Sequence, residues 1–118
     1  MSNNSRSQIP WPIRLIQVLG GVGIVFWIIM IVRALMDDAS SAAGVVIVGL
    51  VLGSAHLVMS VGASRRSRVV YYAIAFILVG DSALAIWVDP QAFALVLFTL
   101  VLAGLGSMGA SRSWLRTP

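Results

Sequence analysis

Cysteine, lysine and glutamate do not occur in this chain, and histidine occurs once, at position 56. Without thiols there is no disulfide framework and no thiolate metal or redox site. One histidine and four aspartates, Asp37, Asp38, Asp81 and Asp89, fall short of the ligand set that a metal centre within one chain requires, so no metal is called for. The serines at 54, 60, 64, 67, 82 and 107 have no carboxylate-backed histidine near them in sequence, and no glycine-rich loop follows a strand pattern. Nucleophilic catalysis and nucleotide binding therefore lose their support, and the expectation is a protein that is not an enzyme, with no catalytic residues and no cofactor. Charge itself is scarce: 10% of the 118 residues are charged, 59% are hydrophobic, and the mean hydropathy is +0.99. A water-soluble domain of that composition would lack polar cover.

What is present is four long apolar runs punctuated by arginine. All eight basic residues are arginine, and they raise the isoelectric point to about 11.2. They form neither a patch nor an arm but stand at the ends of apolar runs, as charges that orient a membrane protein do, so nucleic acid is excluded as a partner. The pattern predicts an all-α membrane protein, with four transmembrane helices arranged as two helical hairpins in one bundle over residues 13–111. The predicted helices cover about 13–36, 43–62, 69–88 and 91–110, between a polar tail at 1–12 and another at 112–118. The charge-free run from Leu15 to Val32 is by itself about 27 Å long at about 1.5 Å per residue, close to the hydrocarbon thickness. It exceeds the apolar region of a cleaved leader, so the small residues from Ala39 to Ala43 read as loop rather than cleavage site. Trp11, Tyr71, Tyr72, Trp87 and Trp114 mark the interfaces.

The basic turn at 62–68, Gly62-Ala63-Ser64-Arg65-Arg66-Ser67-Arg68, joins the second and third runs. Arg65, Arg66 and Arg68, with Arg112 after the fourth run, are the topology anchors, and the positive-inside rule places them in the cytoplasm. With Arg6, Arg14 and Arg116 they put seven arginines on the inner side, against Arg33 alone on the outer. Both termini are predicted cytoplasmic, in a multi-pass protein of the plasma membrane whose first partner is the lipid bilayer. Ser60-Val61-Gly62-Ala63-Ser64-Arg65 recurs as Ser107-Met108-Gly109-Ala110-Ser111-Arg112, with five of six positions identical. A shared helix-stop signal accounts for the recurrence, glycine permitting a left-handed cap and arginine anchoring in headgroups; a duplicated hairpin is the other explanation.

Helix association in lipid depends on close packing of small residues and on interhelical hydrogen bonds. Gly49, Gly53, His56 and Ser60 share one stripe of the second helix; Thr99, Ala103, Gly106 and Ala110 share one on the fourth; the first offers Gln17, Gly20, Gly21 and Gly23. These faces suit packing within the bundle, or association with a second copy or a larger membrane complex. The intramembrane polar candidates are Asp81, His56, Arg33 and Gln17, because an ionised side chain near the midplane costs about 2.5–3.5 kcal/mol. An arginine can span the estimated depth difference between Arg33 and Asp81, which suggests an ion pair joining the first and third helices. The competing readings are that Arg33 turns outward to Asp37 and leaves Asp81 protonated, or that Asp81 relays a proton or ion. Gln17 falls near the depth of His56, within reach of a hydrogen bond, while His56 and Asp81 lie too far apart in depth for direct contact but are compatible with a water-linked step.

In size and helix count the chain resembles small four-helix multidrug transporters, from which it departs by having no glutamate in its first helix or anywhere else. The leading expectation is a non-catalytic membrane subunit or scaffold that associates through its Gly/Ala/Ser-rich faces. The alternative is a small proton-linked transporter or oligomeric channel using Asp81 with His56 or Arg33. No substrate, small molecule or ion, is legible in the loops, which are too short to form a recognition surface.

Overall fold

A computed structural model describes residues 8–37 and 42–116, and the regular structure of these residues is entirely helical. Helix α1 spans Trp11–Met36, α2 Ala42–Ser64, α3 Val69–Trp87 and α4 Phe93–Ser107, with a 3-10 turn at Pro90–Ala92 and a short final helix, α5, at Gly109–Arg116. The stretches Trp11–Met36, Ala42–Ser64, Val69–Trp87 and Pro90–Ser107 are each long and apolar enough to cross a bilayer. The chain thus has the make-up of a small multi-pass membrane protein, its exposed apolar side chains suited to contact with lipid.

Each helix packs on the next in sequence, and α4 closes back on α1. Helix α1 opens with Pro12 in its first turn, where the missing N–H leaves no bond unmade. Its buried side is a stripe of Ile13, Ile16, Gly20, Gly23 and Trp27, spaced three or four apart. That stripe meets α2 in antiparallel register: Gly20 opposes Ser60, Gly23 opposes His56, and Gly49 of α2 opposes Ile31 and Trp27. A Cβ at Gly23 would lie 2.6 Å from His56 Nε2, and one at Gly20 would lie 3.0 Å from Ser60 Cβ, so a larger residue would displace the His56 ring at the first and crowd α2 by a few tenths of an ångström at the second. Helix α3 seats Gly80 against Leu52 of α2, and Tyr71 Oη donates to the Gly106 carbonyl of α4 at 3.2 Å. The apolar core, centred on Ile13, Ile16, Met59, Val70, Ile77 and Leu102, fills the half of the bundle nearer the basic turn.

Two features of the chain reversals differ from the sequence reading. Helix α2 runs on through Ser64, and the left-handed position that caps it belongs to Arg66, with φ 57°, not to Gly62. Ser67 N–H donates to the Gly62 carbonyl at 2.9 Å and Arg66 N–H to Ala63 at 3.5 Å, the pair of bonds that closes a Schellman cap. A side chain in that conformation costs roughly 1–2 kcal/mol. Arg66 offsets part of it by stacking its guanidinium 3.9 Å from the centre of the Trp114 ring.

The fourth run, read as one helix over 91–110, is instead a 3-10 turn, α4, and a break at Met108, whose ψ of 148° is extended. The segment read as a polar tail from 112 lies mostly within α5, an amphipathic helix that buries Ser111 and Leu115 and exposes Arg112 and Arg116. Ser111 Oγ donates to the Leu105 carbonyl at 2.7 Å, and Trp114 Nε1 donates to the Ala63 carbonyl at 2.9 Å, tying α5 to the ends of α4 and α2. The recurrent six-residue stretch therefore takes two conformations. Gly62 is pressed against Val69 and Val70, whereas Gly109 opens into empty space and begins the new helix.

Gly23→Ala is expected to destabilise the folded protein by about 1–3 kcal/mol, the usual cost of forcing volume into a filled contact. Gly104→Ala adds a Cβ that meets nothing within 4 Å and is expected to be neutral or slightly stabilising. Equilibrium unfolding in detergent, followed by circular dichroism, checks both.

Candidate functional site

The other half of the bundle holds the two buried ionisable side chains, His56 and Asp81. His56 is 3% exposed, on the α2 stripe that faces α1. Its Nδ1 lies 2.8 Å from the Leu52 carbonyl, which can only accept, so Nδ1 carries the hydrogen. The ring crosses the bare backbone of Gly23, and in the neutral imidazole Nε2 holds the free lone pair.

Asp81, on α3, is 2% exposed. Its Oδ2 accepts from Thr99 Oγ1 of α4 at 2.6 Å. Thr99 Oγ1 also lies 2.9 Å from the Leu95 carbonyl, and its one hydrogen can serve one acceptor at a time. Turned to Asp81, the hydroxyl solvates a carboxylate; turned to Leu95, it accepts from a protonated Asp81. The pair accommodates both protonation states with no movement of heavy atoms. Asp81 Oδ1, by contrast, is buried and has no hydrogen-bond partner among the described residues.

Asp81 and His56 line one cavity of about 180 Å³, walled by Phe26 and Trp27 of α1 and by Leu95 and Phe98 of α4. Phe26 and Trp27 meet edge to face, 5.2 Å between centroids at 81°. The walls are apolar and aromatic, and the polar side chains are one acid and one imidazole. Chemically, such a space takes a proton, or an apolar body bearing a single positive charge, because a buried carboxylate needs a counter-charge and aromatic faces attract a cation.

The structure regroups the residues singled out from sequence. Arg33 does not pair with Asp81: it is exposed near the end of α1, off the Ile13–Trp27 stripe, while Asp81 is turned toward α4. Nor does its side chain bond Asp37, whose backbone N–H caps the Arg33 carbonyl at 2.9 Å. Gln17 does not reach His56; its Nε2 donates to Ser64 Oγ at 2.7 Å, and its carbonyl accepts from Ser60 Oγ at 3.2 Å. The antiparallel register accounts for this, placing Gln17 beyond Ser60, towards the end of α2, and leaving His56 opposite Gly23.

Gly49 and Gly53 face Trp27 inside the bundle, and Gly106 faces Ile74 and Tyr71. Ala110 is exposed on α5 and packs in no helix seam. Of the topology anchors, Arg65, Arg68 and Arg112 are exposed, and Arg66 is engaged with Trp114. Thr99, read from sequence as a packing residue, is the partner of Asp81. The signal for it was available, since the two residues lie equally far from Pro90 in sequence and an antiparallel pair of helices sets them face to face.

No protein-family model, no curated protein and no solved structure matches the chain, so function must be argued from this geometry.

A double-mutant cycle on Asp81→Asn and Thr99→Val is expected to return a coupling of about 0.5–3 kcal/mol, as for groups in one hydrogen-bond network. The cycle pairing Asp81→Asn with Arg33→Gln is expected to be additive to within about 0.5 kcal/mol. Unfolding free energies of the six proteins, measured in one detergent, supply both.

Proposed function

We propose that the chain is a small non-catalytic protein of the plasma membrane, threaded as two hairpins with both termini in the cytoplasm, that exchanges a small organic cation for a proton at Asp81. The arginine placement supports the orientation, seven to one in favour of the side that bears the basic turn. One observation carries the activity: a buried carboxyl with one oxygen bonded to Thr99 and the other without a partner among the described residues, on an aromatic-walled cavity.

In the empty protein Asp81 holds a proton and donates to Thr99, whose own hydrogen turns to Leu95. A cation entering between the aromatic walls takes the place of that proton. As the cation arrives the proton leaves Asp81 and passes out of the cavity to water, and the Thr99 hydroxyl rotates to solvate the carboxylate. One positive charge enters as another departs, so the site never carries an uncompensated charge in hydrocarbon.

The other reading, a subunit or scaffold within a homo-oligomer or larger membrane complex, draws on how little of the chain lies outside the spans. Of the small residues that would have served it, Gly20, Gly23, Gly49, Gly53 and Gly106 meet the chain's own helices, while Gly21 and Ala110 face outward.

Benzyltrimethylammonium, an aromatic monocation, is a suitable probe. In proteoliposomes, its uptake down an imposed gradient is expected to release protons in equal number, and its binding to strengthen as pH rises and protons compete less. Asp81→Asn is expected to weaken binding about 30-fold or more, from the loss of about 2 kcal/mol or more when one partner of a buried charge pair is removed. Absence of binding and flux in correctly folded protein, with a second chain co-purifying, would favour the subunit reading instead.

A further inference from the structure

A second cavity, of about 370 Å³, lies at the opposite end of the bundle from the outer loops. It is lined by Arg68, Tyr71, Arg112, Leu115 and Arg116. Arg68 immediately precedes α3, while Arg112 and Arg116 stand one turn apart on α5, so elements distant in sequence supply the three guanidinium groups. What brings them together is the docking of α5: Trp114 Nε1 on the Ala63 carbonyl, Ser111 Oγ on Leu105, and the burial of Leu115. Three like charges are thereby held around one space by contacts that involve none of them.

The acidic residues described outside the spans, Asp37 and Asp89, follow the ends of α1 and α3, at the far end of the bundle. No carboxylate among the described residues answers these arginines. Their level is that of the headgroups, because the apolar run of α3 begins at Val69, directly after Arg68. Val69 and Tyr72, in the first turn of α3 that follows Arg68, are exposed apolar and aromatic surface at that level.

We propose that this cavity binds the headgroup of an anionic phospholipid carrying two negative charges. Guanidinium groups match phosphate oxygens two at a time, and basic pockets at a membrane surface are suited to such headgroups. The cavity is larger than a single phosphate fills, and three arginines exceed the charge of one phosphodiester. A bound diphosphate headgroup would supply the counter-charge that no described carboxylate does and would clamp α5 against the turn between α2 and α3.

The test is titration of the purified full-length protein by native mass spectrometry, with cardiolipin, phosphatidylcholine and inorganic pyrophosphate as probes. Cardiolipin is expected to bind at least ~10-fold more tightly than phosphatidylcholine, at about fivefold per arginine near an anionic headgroup. Arg68→Gln/Arg112→Gln is expected to lose most of that preference. Arg14→Gln/Arg65→Gln, which removes the same charge from exposed positions outside the cavity, is expected to keep it. Unchanged helicity and elution volume would establish that both variants fold. Equal losses in the two double variants would overturn the proposal in favour of diffuse surface charge. Pyrophosphate binding as tightly as cardiolipin would overturn the assignment to a lipid. Asp81 takes no part in this site, so failure here leaves the cation-exchange reading untouched, and the reverse also holds.

Discussion

The approach of α1 to α2 across glycine is the contact on which the rest of the bundle depends. In hydrocarbon there is little hydrophobic gain in joining two apolar helices, so the pair must be held by close packing and by hydrogen bonds that lipid cannot make. Gly20 and Gly23 let α2 come near enough for Ser60 to reach the Gln17 carbonyl and for the His56 ring to lie across a bare backbone. Gly49 does the reciprocal service for Ile31 and Trp27. Helix α3 then builds on α2 through Gly80 and Leu52, α4 on α3 through the Tyr71 and Thr99 hydroxyls, and α4 closes on α1.

The result is a bundle divided along its length. The half nearer the basic turn is filled by branched aliphatic side chains and sealed by α5, and apart from the Gln17 and Ser60 contacts its polar groups lie at its edge. The other half holds the cavity that collects the acid and the imidazole that a bilayer tolerates least. Each is anchored by one hydrogen bond on one side and turns its remaining polar atom to a less constrained one: Nδ1 of His56 to Leu52, Oδ2 of Asp81 to Thr99. Groups held in position yet incompletely satisfied suit chemistry better than they suit stability.

Much of this architecture was legible before any coordinates. Runs of about twenty apolar residues bounded by arginine and aromatics can be little other than membrane spans, since backbone polar groups in hydrocarbon must bond within their own segment. The residues that would carry polar function were legible too, because Asp81 and His56 are costly wherever a span puts them. Their partners were less so. Depth along a helix can be counted from sequence, but the direction a residue faces depends on which neighbour its helix meets. Arg33 and Asp81 looked close in depth and face different ways; His56 and Asp81 looked separated in depth and line one cavity.

The same division holds at the helix ends. Gly62 and Gly109 stand in nearly identical hexapeptides, yet one continues a helix, closely faced by Val69 and Val70, and the other begins one in open space. By itself, the sequence determined the helical class, the number of apolar spans and the side on which arginine accumulates, all of which follow from local composition and from the solvent the chain must satisfy. Only tertiary structure decided that Asp81 bonds Thr99, that His56 shares its cavity and that Arg68 lines another with Arg112 and Arg116. Those pairings depend on the rotation and register of one helix against another, set by packing between residues far apart along the chain, which no single stretch of it encodes.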